Sequence, residues 1–397
     1  MTSCEIPETP APRLPWDPAD PHSFYDRRRR DGDVVWDETA QAWLVLGYEV
    51  ARKVLGSNGW SSDPLTNPTT RAAVDPVTAQ LIQRSMLFAD GTCHRRLRGS
   101  VRDVFTPSFI AGLTDGIEAI SAAVIRRPAT LAPLNFMSEI ALPLPLAIVG
   151  EWLDLDTESA TLLRELSSVI IRMLGSLADP VEIQAGTAAS AALMARFLPL
   201  AADRRAHPGD DLLSYIATDR ALELEDVVMT AILIAVAGHE TTANLLGAGL
   251  VRLLTPGRDG TRIADVVDPA HPALVNELLR LDGPVQTAAR TATERHILAG
   301  TEISVGQTAL VAVAAANRDP NVFECPDELW LDREGPPPLS FGYGAHYCVG
   351  SPLARLELDT ALRELLSRRP ALAGEVVWRD TTAVRGPSTV PIVFCAP

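Results

Sequence analysis

The feature that most constrains the fold of this chain is a helical spacing of apolar residues that runs from about Cys93 to Val251. Apolar side chains recur there every three or four residues, a repeat that places them on one face of an α-helix. The interruptions are short and centred on prolines, which end helices. The stretch therefore predicts a series of consecutive helices.

Short β-like segments and two further helices flank this stretch. Alternating and β-branched residues favour strands, and helical spacing returns twice after residue 257. The predicted strands lie at 34–36, 42–46, 287–298 and 302–314, with strand-like pieces near 375–395, and the predicted helices at 270–282 and 352–368.

Two other segments carry weaker patterns. Residues 56–85 contain several proline and asparagine breakers and are expected to form loops, and the basic run 27–30 is expected to be a solvated helix face. Taken together, the patterns predict a mainly α (α-rich α+β) fold. We expect a single domain over residues 1–397, in which 1–20 form a loosely ordered lead-in.

Composition limits the function. The chain has 397 residues, 47% of them hydrophobic, and a net charge of −15, which argues against nucleic acid and anionic membranes as partners. Its five cysteines are scattered, as expected in a reducing compartment and not in a disulfide framework. The N-terminus lacks the features of a signal peptide, and uninterrupted apolar runs are shorter than the roughly 18 residues of a membrane span. We expect a cytoplasmic protein with no membrane partner.

The stretch Phe341–Gly350 is the first candidate for chemistry. Gly342, Gly344 and Gly350 let the backbone approach a flat partner closely. Cys348 precedes a predicted helix, whose N-terminal dipole favours the thiolate that binds metal. This arrangement suggests an iron porphyrin held by one axial sulfur. A dinucleotide-binding loop is disfavoured because the third glycine comes too late, whereas a merely packed cysteine stays open.

The second candidate is the segment Ala237–Thr242 in a long apolar helix predicted from about Leu224 to Leu254. Acid and hydroxyl groups are costly inside a buried helix. The Thr241 hydroxyl can reach the carbonyl four residues earlier, and Gly238 leaves room for a small ligand. An acid and an alcohol beside such a turn suit proton delivery to bound dioxygen. A zinc-binding HExxH helix is excluded by Ala243, but a hydrogen-bonded kink without a catalytic role stays open.

The third candidate is the pair Glu277 and Arg280, which share one helix face. Alone this is a common surface pair. In this order and spacing, however, the three motifs closely resemble the cytochromes P450, over essentially the full chain and nearest to the soluble bacterial members. Phe341–Gly350 matches the haem-loop pattern F-x-x-G-x-x-x-C-x-G, Ala237–Thr242 the oxygen-activation helix, and Glu277 with Arg280 the E-x-x-R pair.

The resemblance implies a cytochrome P450 fold around a buried haem b and a haem-thiolate monooxygenase activity. It assigns Cys348 as the metal ligand, hydrogen-bonded by backbone N–H groups near Val349 and Gly350, and Glu240 with Thr241 as the catalytic acid–alcohol pair. It also implies cationic partners for the haem propionates, because carboxylates in a low-dielectric slot need paired cations. The implied cofactor-binding residues are His94, Arg98, Ala237, Gly238, Arg290, Phe341, Gly342, His346, Cys348 and Gly350.

For the substrate, the resemblance implies pocket walls whose polar members hint at an oxygenated or nitrogen-bearing compound. The implied pocket residues are Val236, Val285, Gln286, Thr287 and Thr389. We expect a small or mid-sized organic substrate, O2, and hydroxylation in the tailoring of a natural product. Two electrons would come from a ferredoxin and its NAD(P)H-dependent reductase, since no flavin or nicotinamide fingerprint is present. Candidate docking residues are Arg95, Arg96, Arg102 and Arg355.

Two departures from the family pattern and two alternative functions stay open. Glu328 stands where a basic third partner of the E-x-x-R pair is usual, so either Arg280 suffices or another cation such as Arg318 helps. Gly91-Thr92-Cys93 replaces the usual Pro-Pro-Glu and should loosen the entry to that helix. The alternatives are a tailoring oxidation other than hydroxylation (epoxidation, coupling or desaturation) and a non-catalytic haem-binding sensor or carrier.

Overall fold

A computed structural model describes residues 16–127, 132–175, 179–380 and 384–394 of the chain. Its architecture is mainly helical, with small sheets at the edges. The helices are α1 (His22–Arg29), α2 (Tyr48–Gly56), α3 (Pro68–Ala73), α4 (Pro76–Arg84), α5 (Gly91–Gly99), α6 (Pro107–Ala111), α7 (Thr114–Arg126), α8 (Pro143–Trp152), α9 (Thr157–Gly175), α10 (Pro180–Ala206), α11 (Leu212–Ala217), α12 (Leu224–Leu254), α13 (Leu274–Asp282), α14 (Val313–Ala316) and α15 (Ser351–Ser367).

The strands are short and form four small sheets. They are β1 (Val34–Asp37), β2 (Ala42–Val45), β3 (Trp60–Ser61), β4 (Leu134–Asn135), β5 (Ala288–Ala292), β6 (His296–Leu298), β7 (Thr301–Ile303), β8 (Thr308–Val311), β9 (Pro370–Leu372), β10 (Val377–Trp378), β11 (Pro387–Thr389) and β12 (Pro391–Phe394).

The largest sheet joins distant parts of the chain, in the order β1-β2-β8-β5-β3. The predicted hairpin is present, with Val34 opposite Val45 in antiparallel register. Strand β2 then pairs in parallel with β8, where Val45 lies opposite Val311. Such a parallel pairing needs a long crossover, and here that crossover contains nearly all the helices. The predicted mainly α fold with a minor β part is confirmed.

Helix α12 is the centre of the helical part, and it spans the predicted residues. Helices α8, α9, α10 and α15 all pack against it. Most of its side chains are buried, including the apolar residues Ala231, Ala235 and Leu250 at 0% exposure. Burial of each large apolar side chain stabilises the fold by roughly 1.5–3 kcal/mol, so α12 is held firmly along its length.

Residues 56–85 differ from the predicted loop, because helices α3 and α4 lie within them. The Asn67 side chain accepts hydrogen bonds from the N–H groups of Thr69 and Thr70, and Pro68 occupies the first helical position. Asp75 and Pro76 begin α4 in the same way. An Asn or Asp followed by Pro is therefore a helix start here, where the sequence had been interpreted as a break.

The basic run at residues 27–30 also differs in part from its predicted solvated face. Arg29 donates to the Ala315 carbonyl at 2.7 Å and lies 3.4 Å from the Asp319 carboxylate. Arg28 pairs with Asp31 and lies 3.9 Å from the buried Asp37. Half of the run therefore fastens α1 to the sheet and to α14, and only Arg27 and Arg30 are exposed.

Two helices, α10 and α12, are long and apolar enough to cross a membrane when hydropathy is averaged along them. The sequence analysis counted uninterrupted apolar runs and therefore did not detect them. Most of the apolar stretch of α12 is buried inside the protein, as expected for a core helix.

Candidate active site

The cysteine loop contains two short 3₁₀ segments, Leu339–Phe341 and Gly344–His346, and Cys348 follows the second of them. Gly342 and Gly344 have φ angles of +73° and +75°, which side chains with a Cβ rarely adopt. At Gly344 a Cβ would lie 2.7 Å from the Leu55 carbonyl oxygen. The Cys348 N–H donates to the Phe341 carbonyl at 2.8 Å. These contacts fix the cysteine just before α15.

The Cys348 thiol experiences opposing effects. Burial raises its pKa, while N–H groups of Gly350 and Ser351 and the charge of Arg98 act to lower it. A Cβ at Gly350 would lie 4.0 Å from the Cys348 Sγ atom, an ordinary contact distance. The sulfur therefore has the hydrogen bonds that a thiolate ligand uses, from Gly350 as predicted and from Ser351 in place of Val349.

On α12, the predicted oxygen-activation segment contains an opening in an otherwise buried helix. Ala237 is exposed and Gly238 and Thr241 are partly exposed, although their neighbours along the helix are buried. A Cβ added at Gly238 would meet nothing within 4 Å. The Thr241 hydroxyl donates to the Ala237 carbonyl at 2.7 Å, as predicted. Small residues and one hydroxyl thus face an open space.

Glu240 directly precedes Thr241 on the same turn but is buried, with 2% of its surface exposed. Its Oε2 atom is 2.9 Å from Nη1 of Arg379, a residue of the C-terminal part of the chain. Asn244 Nδ2 donates to the Glu240 carbonyl at 2.7 Å and lies 3.3 Å from Oε2. The sequence analysis missed Arg379 because 139 positions separate the two residues.

Two histidine side chains lie together near the cysteine loop. The rings of His94 and His346 lie 4.1 Å apart between centroids, and His346 Nε2 is 3.6 Å from Asp90 Oδ1. Burial, followed by the charges of His346 and Arg98, lowers the pKa of His94 to about 4. Although burial raises it, hydrogen bonds from His346 and Ser61 lower the pKa of Asp90 to about 2.

Arg98 and Arg290 complete this group. Arg98 donates to the Tyr347 carbonyl at 2.6 Å, and Arg290 donates to its neighbour Ala289 at 2.8 Å. Burial lowers the pKa of both guanidinium groups. Within the described residues, neither has a carboxylate in salt-bridge contact, and the buried Nε2 of His94 has no hydrogen-bond partner. These groups fit an anionic ligand beside the loop.

Asp90 also changes the interpretation of the Gly91-Thr92-Cys93 departure. Its side chain does not cap α5. It accepts hydrogen bonds from the Ser61 hydroxyl at 2.5 Å and from the Ser62 N–H. Asp90 therefore joins the entry of α5 to β3 without capping the helix, and the expected loosening stays a prediction.

The E-x-x-R pair forms, and its third partner is Arg333. Arg280 binds both Glu277 carboxylate oxygens, at 2.7 and 2.9 Å, and Arg333 Nε lies 3.2 Å from Glu277 Oε1. The alternative in which another cation helps Arg280 is confirmed, but Arg318, the example given, is wrong, because it pairs with Asp327 instead. The side chain of Glu328 is exposed, and its backbone carbonyl accepts from Arg280.

Two of the predicted pocket residues do not line an open space. Gln286 is 1% exposed, and its amide donates to the Gly283 carbonyl at 2.7 Å, so its polarity serves the local backbone. Val236 is 2% exposed and packs in the core, whereas its neighbour Ala237 faces outwards. Partly exposed positions remain at Val285, Thr287 and Thr389.

Comparisons with known proteins agree with this site. A family model described as "Cytochrome P450" matches residues 269–369. The cytochrome P450 monooxygenase PikC of Streptomyces venezuelae is 34% identical, over 94% of this chain and 91% of that protein. This chain belongs to the cytochrome P450 family. It is similar over 88% of its length to the 6-deoxyerythronolide B hydroxylase of Saccharopolyspora erythraea, at 32% identity and 90% of that protein.

Solved P450 structures share the fold. P450BioI, crystallised with an acyl carrier protein ligated to hexadec-9Z-enoic acid, superposes with a TM-score of 0.87 at 28% identity, over 95% of this chain and 99% of that one. The predicted fold and the haem-thiolate monooxygenase activity are thereby confirmed.

The residues present fit the family's haem b. Within the described residues there is no group of three or more His, Cys, Asp or Glu side chains that could hold a metal ion. A bound iron would accordingly depend on the porphyrin and on one protein atom, for which the Cys348 sulfur is placed on a glycine-lined loop. Arg98 and Arg290, with the ring N–H of His94, supply hydrogen-bond donors for two carboxylates.

Proposed function

We propose that this P450 hydroxylates a mid-sized natural product of the polyketide type, with Cys348 as the iron ligand and Glu240 and Thr241 as the proton-delivering pair. The observation that carries the proposal is the opening on α12. There Thr241 is hydrogen-bonded to Ala237 at 2.7 Å beside a buried Glu240. When bound, the haem supplies the oxygen-activating redox chemistry of the family.

The chain's own residues have distinct tasks in this proposal. The Gly350 and Ser351 N–H groups hold the thiolate. His94, Arg98, Arg290 and His346 hold the propionates, and Phe341 packs below the loop, with Arg355 5.0 Å from its ring centroid. Ala237 and Gly238 keep the distal side clear. Thr241 donates or passes a proton at its hydroxyl, and Glu240 replaces it.

The substrate class is supported by the relatives. They include the 6-deoxyerythronolide B hydroxylase and a polyketide biosynthesis P450 of Bacillus subtilis. In the pocket, Val285, Thr287 and Thr389 are partly exposed, which offers an apolar wall with two hydroxyl groups. Such a lining suits an oxygenated, largely apolar molecule.

For the electron supply, we propose a ferredoxin with its NAD(P)H-dependent reductase, acting in the cytoplasm. Of the four candidate docking arginines, Arg95 and Arg102 are exposed near the cysteine loop. Arg96 is paired with the buried Asp226 at 2.8 Å, and Arg355 is bound to Asn276. Arg102 lies 3.0 Å from the exposed Asp103 carboxylate. Arg95, for which no salt bridge is seen among the described residues, is therefore the better docking residue for an acidic partner, and Arg102 comes second.

Thr241→Ala tests the proposed chemistry. Purified enzyme would be screened with polyketide lactones for Soret shifts and then assayed with a surrogate ferredoxin and reductase. Wild type should give a product heavier by one oxygen atom. Thr241→Ala should bind equally well but form product roughly 10²-fold more slowly, as expected for loss of a positioned proton donor.

Thr255→Ala is the matched control. Thr255 directly follows the last residue of the same helix. Its hydroxyl donates to the carbonyl four residues earlier at the same 2.7 Å distance, but its side chain is exposed. Its loss should leave turnover unchanged. Equal product formation by Thr241→Ala and wild type would contradict the proposal.

A further inference from the structure

We propose that Arg379 is a positioning residue that holds the buried acid Glu240 and connects it to the solvent-exposed surface. The inference rests on the proposed role of Glu240 in proton delivery. It adds a residue that lies outside the three motifs, on the segment between β10 and β11.

The geometry of the pair is asymmetric. Nη1 of Arg379 lies 2.9 Å from Oε2 of Glu240, and the side chain of Arg379 is 23% exposed while that of Glu240 is 3% exposed. Arg379 is itself fixed, because its backbone N–H donates to the Gly386 carbonyl at 3.1 Å. The guanidinium thus spans from solvent to a carboxylate that solvent hardly reaches.

Two further segments hold the same carboxylate. Asn244 Nδ2 lies 3.3 Å from Oε2, and Asn244 is packed so tightly that a Cβ at Gly386 would lie 2.0 Å from its Oδ1. From α9, the Ser167 hydroxyl is 3.5 Å from Oε1 of Glu240 and 3.1 Å from Nδ1 of His239. The acid is therefore held by α9, α12 and the C-terminal segment together.

Charge makes Arg379 the decisive member of this group. A buried carboxylate needs a cation or several donors. His239 does not supply the charge, since burial lowers its pKa and it is neutral. Ser167 and Asn244 are neutral as well. Among the described side chains in contact with Glu240, the positive charge comes from Arg379 alone.

This arrangement gives proton delivery a defined direction. Glu240 takes one proton from water at the exposed Arg379 side and gives one proton up towards the Thr241 hydroxyl. The carboxylate is regenerated, so the chain returns to its starting charge after each transfer. Without Arg379, the acid loses its cationic partner and its contact with the exposed edge, and of the described side chains only the neutral Asn244 and Ser167 still hold it.

The test compares Arg379→Met, which keeps the aliphatic stem, with Arg379→Lys, which keeps the charge. Substrate-induced Soret shifts should be unchanged in both. Arg379→Met should convert several-fold less of the consumed NAD(P)H into product and show a larger solvent deuterium isotope effect on turnover. Arg379→Lys should restore much of the coupling. Arg295→Met, which removes an exposed partner of Glu302, is the control and should behave as wild type.

A readout independent of turnover is the thermal midpoint of unfolding. Each of Arg379→Met and Glu240→Gln should lower it, and the double variant should lower it by less than the sum, because it removes both charges. If Arg379→Met fails to bind haem, Arg379→Lys is used in its place. The thermal midpoints of Arg379→Lys, Glu240→Gln and the double variant are then compared in the same way. An Arg379→Met enzyme with wild-type coupling and isotope effect would overturn the inference.

The Glu240→Gln variant distinguishes a failure of this inference from a failure of the proposed function. Uncoupling by Glu240→Gln but not by Arg379→Met would leave the acid in place and reject only the role of Arg379. Full coupling in Glu240→Gln would reject the proton-delivering role of Glu240 and, with it, the inference.

Discussion

At the scale of single residues, Cys348, the proposed iron ligand, is subject to opposing effects. The protein buries it, which favours the neutral thiol, yet aims two backbone N–H groups and the charge of Arg98 at it. This is unfavourable for a free thiol and favourable for a sulfur that shares its charge with a cation. The loop is therefore adapted to the bound state of the cysteine.

Cys348→Ala should abolish the red-shifted absorption band of the reduced carbonyl complex, because that band requires the axial thiolate. The measurement is a difference spectrum of reduced enzyme with and without carbon monoxide. Cys325→Ala is the control, since Cys325 is a free, exposed cysteine, and it should retain the band. A band that survives Cys348→Ala would contradict the assignment of the ligand.

Residue-scale predictions from sequence succeeded where contacts are local. The Thr241–Ala237 bond and the Glu277–Arg280 pair depend on helical spacing alone. Arg333 was missed because it reaches Glu277 over 56 positions through an irregular loop. Gln286 was misassigned because its polarity is satisfied by a neighbouring carbonyl, which spacing does not reveal.

At the scale of elements, Glu277, Arg280 and Arg333 connect α13 to the long loop that precedes the cysteine. Arg333 binds Glu277 and also donates to the Cys325 and Glu328 carbonyls at 3.1 and 2.9 Å. Arg280 binds the Pro326 carbonyl at 2.6 Å. The loop is thus fixed by guanidinium groups, in the absence of regular secondary structure there.

Arg333→Met should destabilise the fold by roughly 2–3 kcal/mol, the usual cost of losing hydrogen bonds to a charged group. Urea unfolding followed by circular dichroism would measure it. Arg295→Met, at an exposed pair, should cost no more than about 1 kcal/mol. Equal midpoints for the two variants would show that Arg333 does not support the loop.

A second link joins α12, which carries Glu240 and Thr241, to α15, which follows the cysteine loop. Glu357 of α15 is 3% exposed, and its carboxyl is hydrogen-bonded to Thr242 of α12. Burial raises the pKa of Glu357 from 4.5 to about 8, and the bond to Thr242 opposes this only in part. The folded protein therefore binds this proton more tightly than the unfolded chain.

The sign of the pH dependence follows. The contribution of Glu357 to stability is complete below pH 4.5 and is lost as the pH rises towards about 8, by up to about 1.4 kcal/mol per pH unit. Glu357→Gln, which is neutral throughout, should flatten the unfolding free energy in this window. Glu364→Gln is the control on the same helix, because the pKa of Glu364 is lowered. Parallel curves for wild type and Glu357→Gln would contradict the prediction.

Whole elements were predicted well where hydrophobic periodicity was long. Helix α12 was predicted at its observed bounds, Leu224–Leu254. The short helices α3 and α4 were not, because six to nine residues carry too little periodicity and their capping signals resemble those of turns. The individual strands were predicted, but the way strands pair into sheets depends on contacts between residues that are hundreds of positions apart.

At the scale of the whole molecule, the net charge of −15 opposes the approach of an acidic electron donor. The exposed Arg95 and Arg102 are the positive side chains that such a donor would meet, with Asp103 3.0 Å from Arg102. Association would therefore depend on this local field, which is screened beyond about 10 Å at 0.1 M ionic strength.

Raising the ionic strength should accordingly slow reduction of the enzyme by ferredoxin, and Arg95→Glu with Arg102→Glu should slow it at low salt without altering substrate affinity. Stopped-flow reduction under carbon monoxide would measure both. Arg295→Glu is the control for charge alone. Reduction rates that are unchanged in the double variant would reject this docking face.

The parallel pairing of β2 with β8 has a consequence for the order in which the protein is made. Val45 meets Val311, and Leu134 meets Ile392, so the first sheet cannot close before residue 311 and the second cannot close before residue 392 has been synthesised. The long apolar helix α12 emerges well before Cys348 does. Nascent chains thus pass through a stage in which α12 is already synthesised and Cys348, the proposed haem ligand, is not. Cofactor capture is therefore a late event in biosynthesis, and shortened translation products would expose an apolar helix to chaperones and proteases.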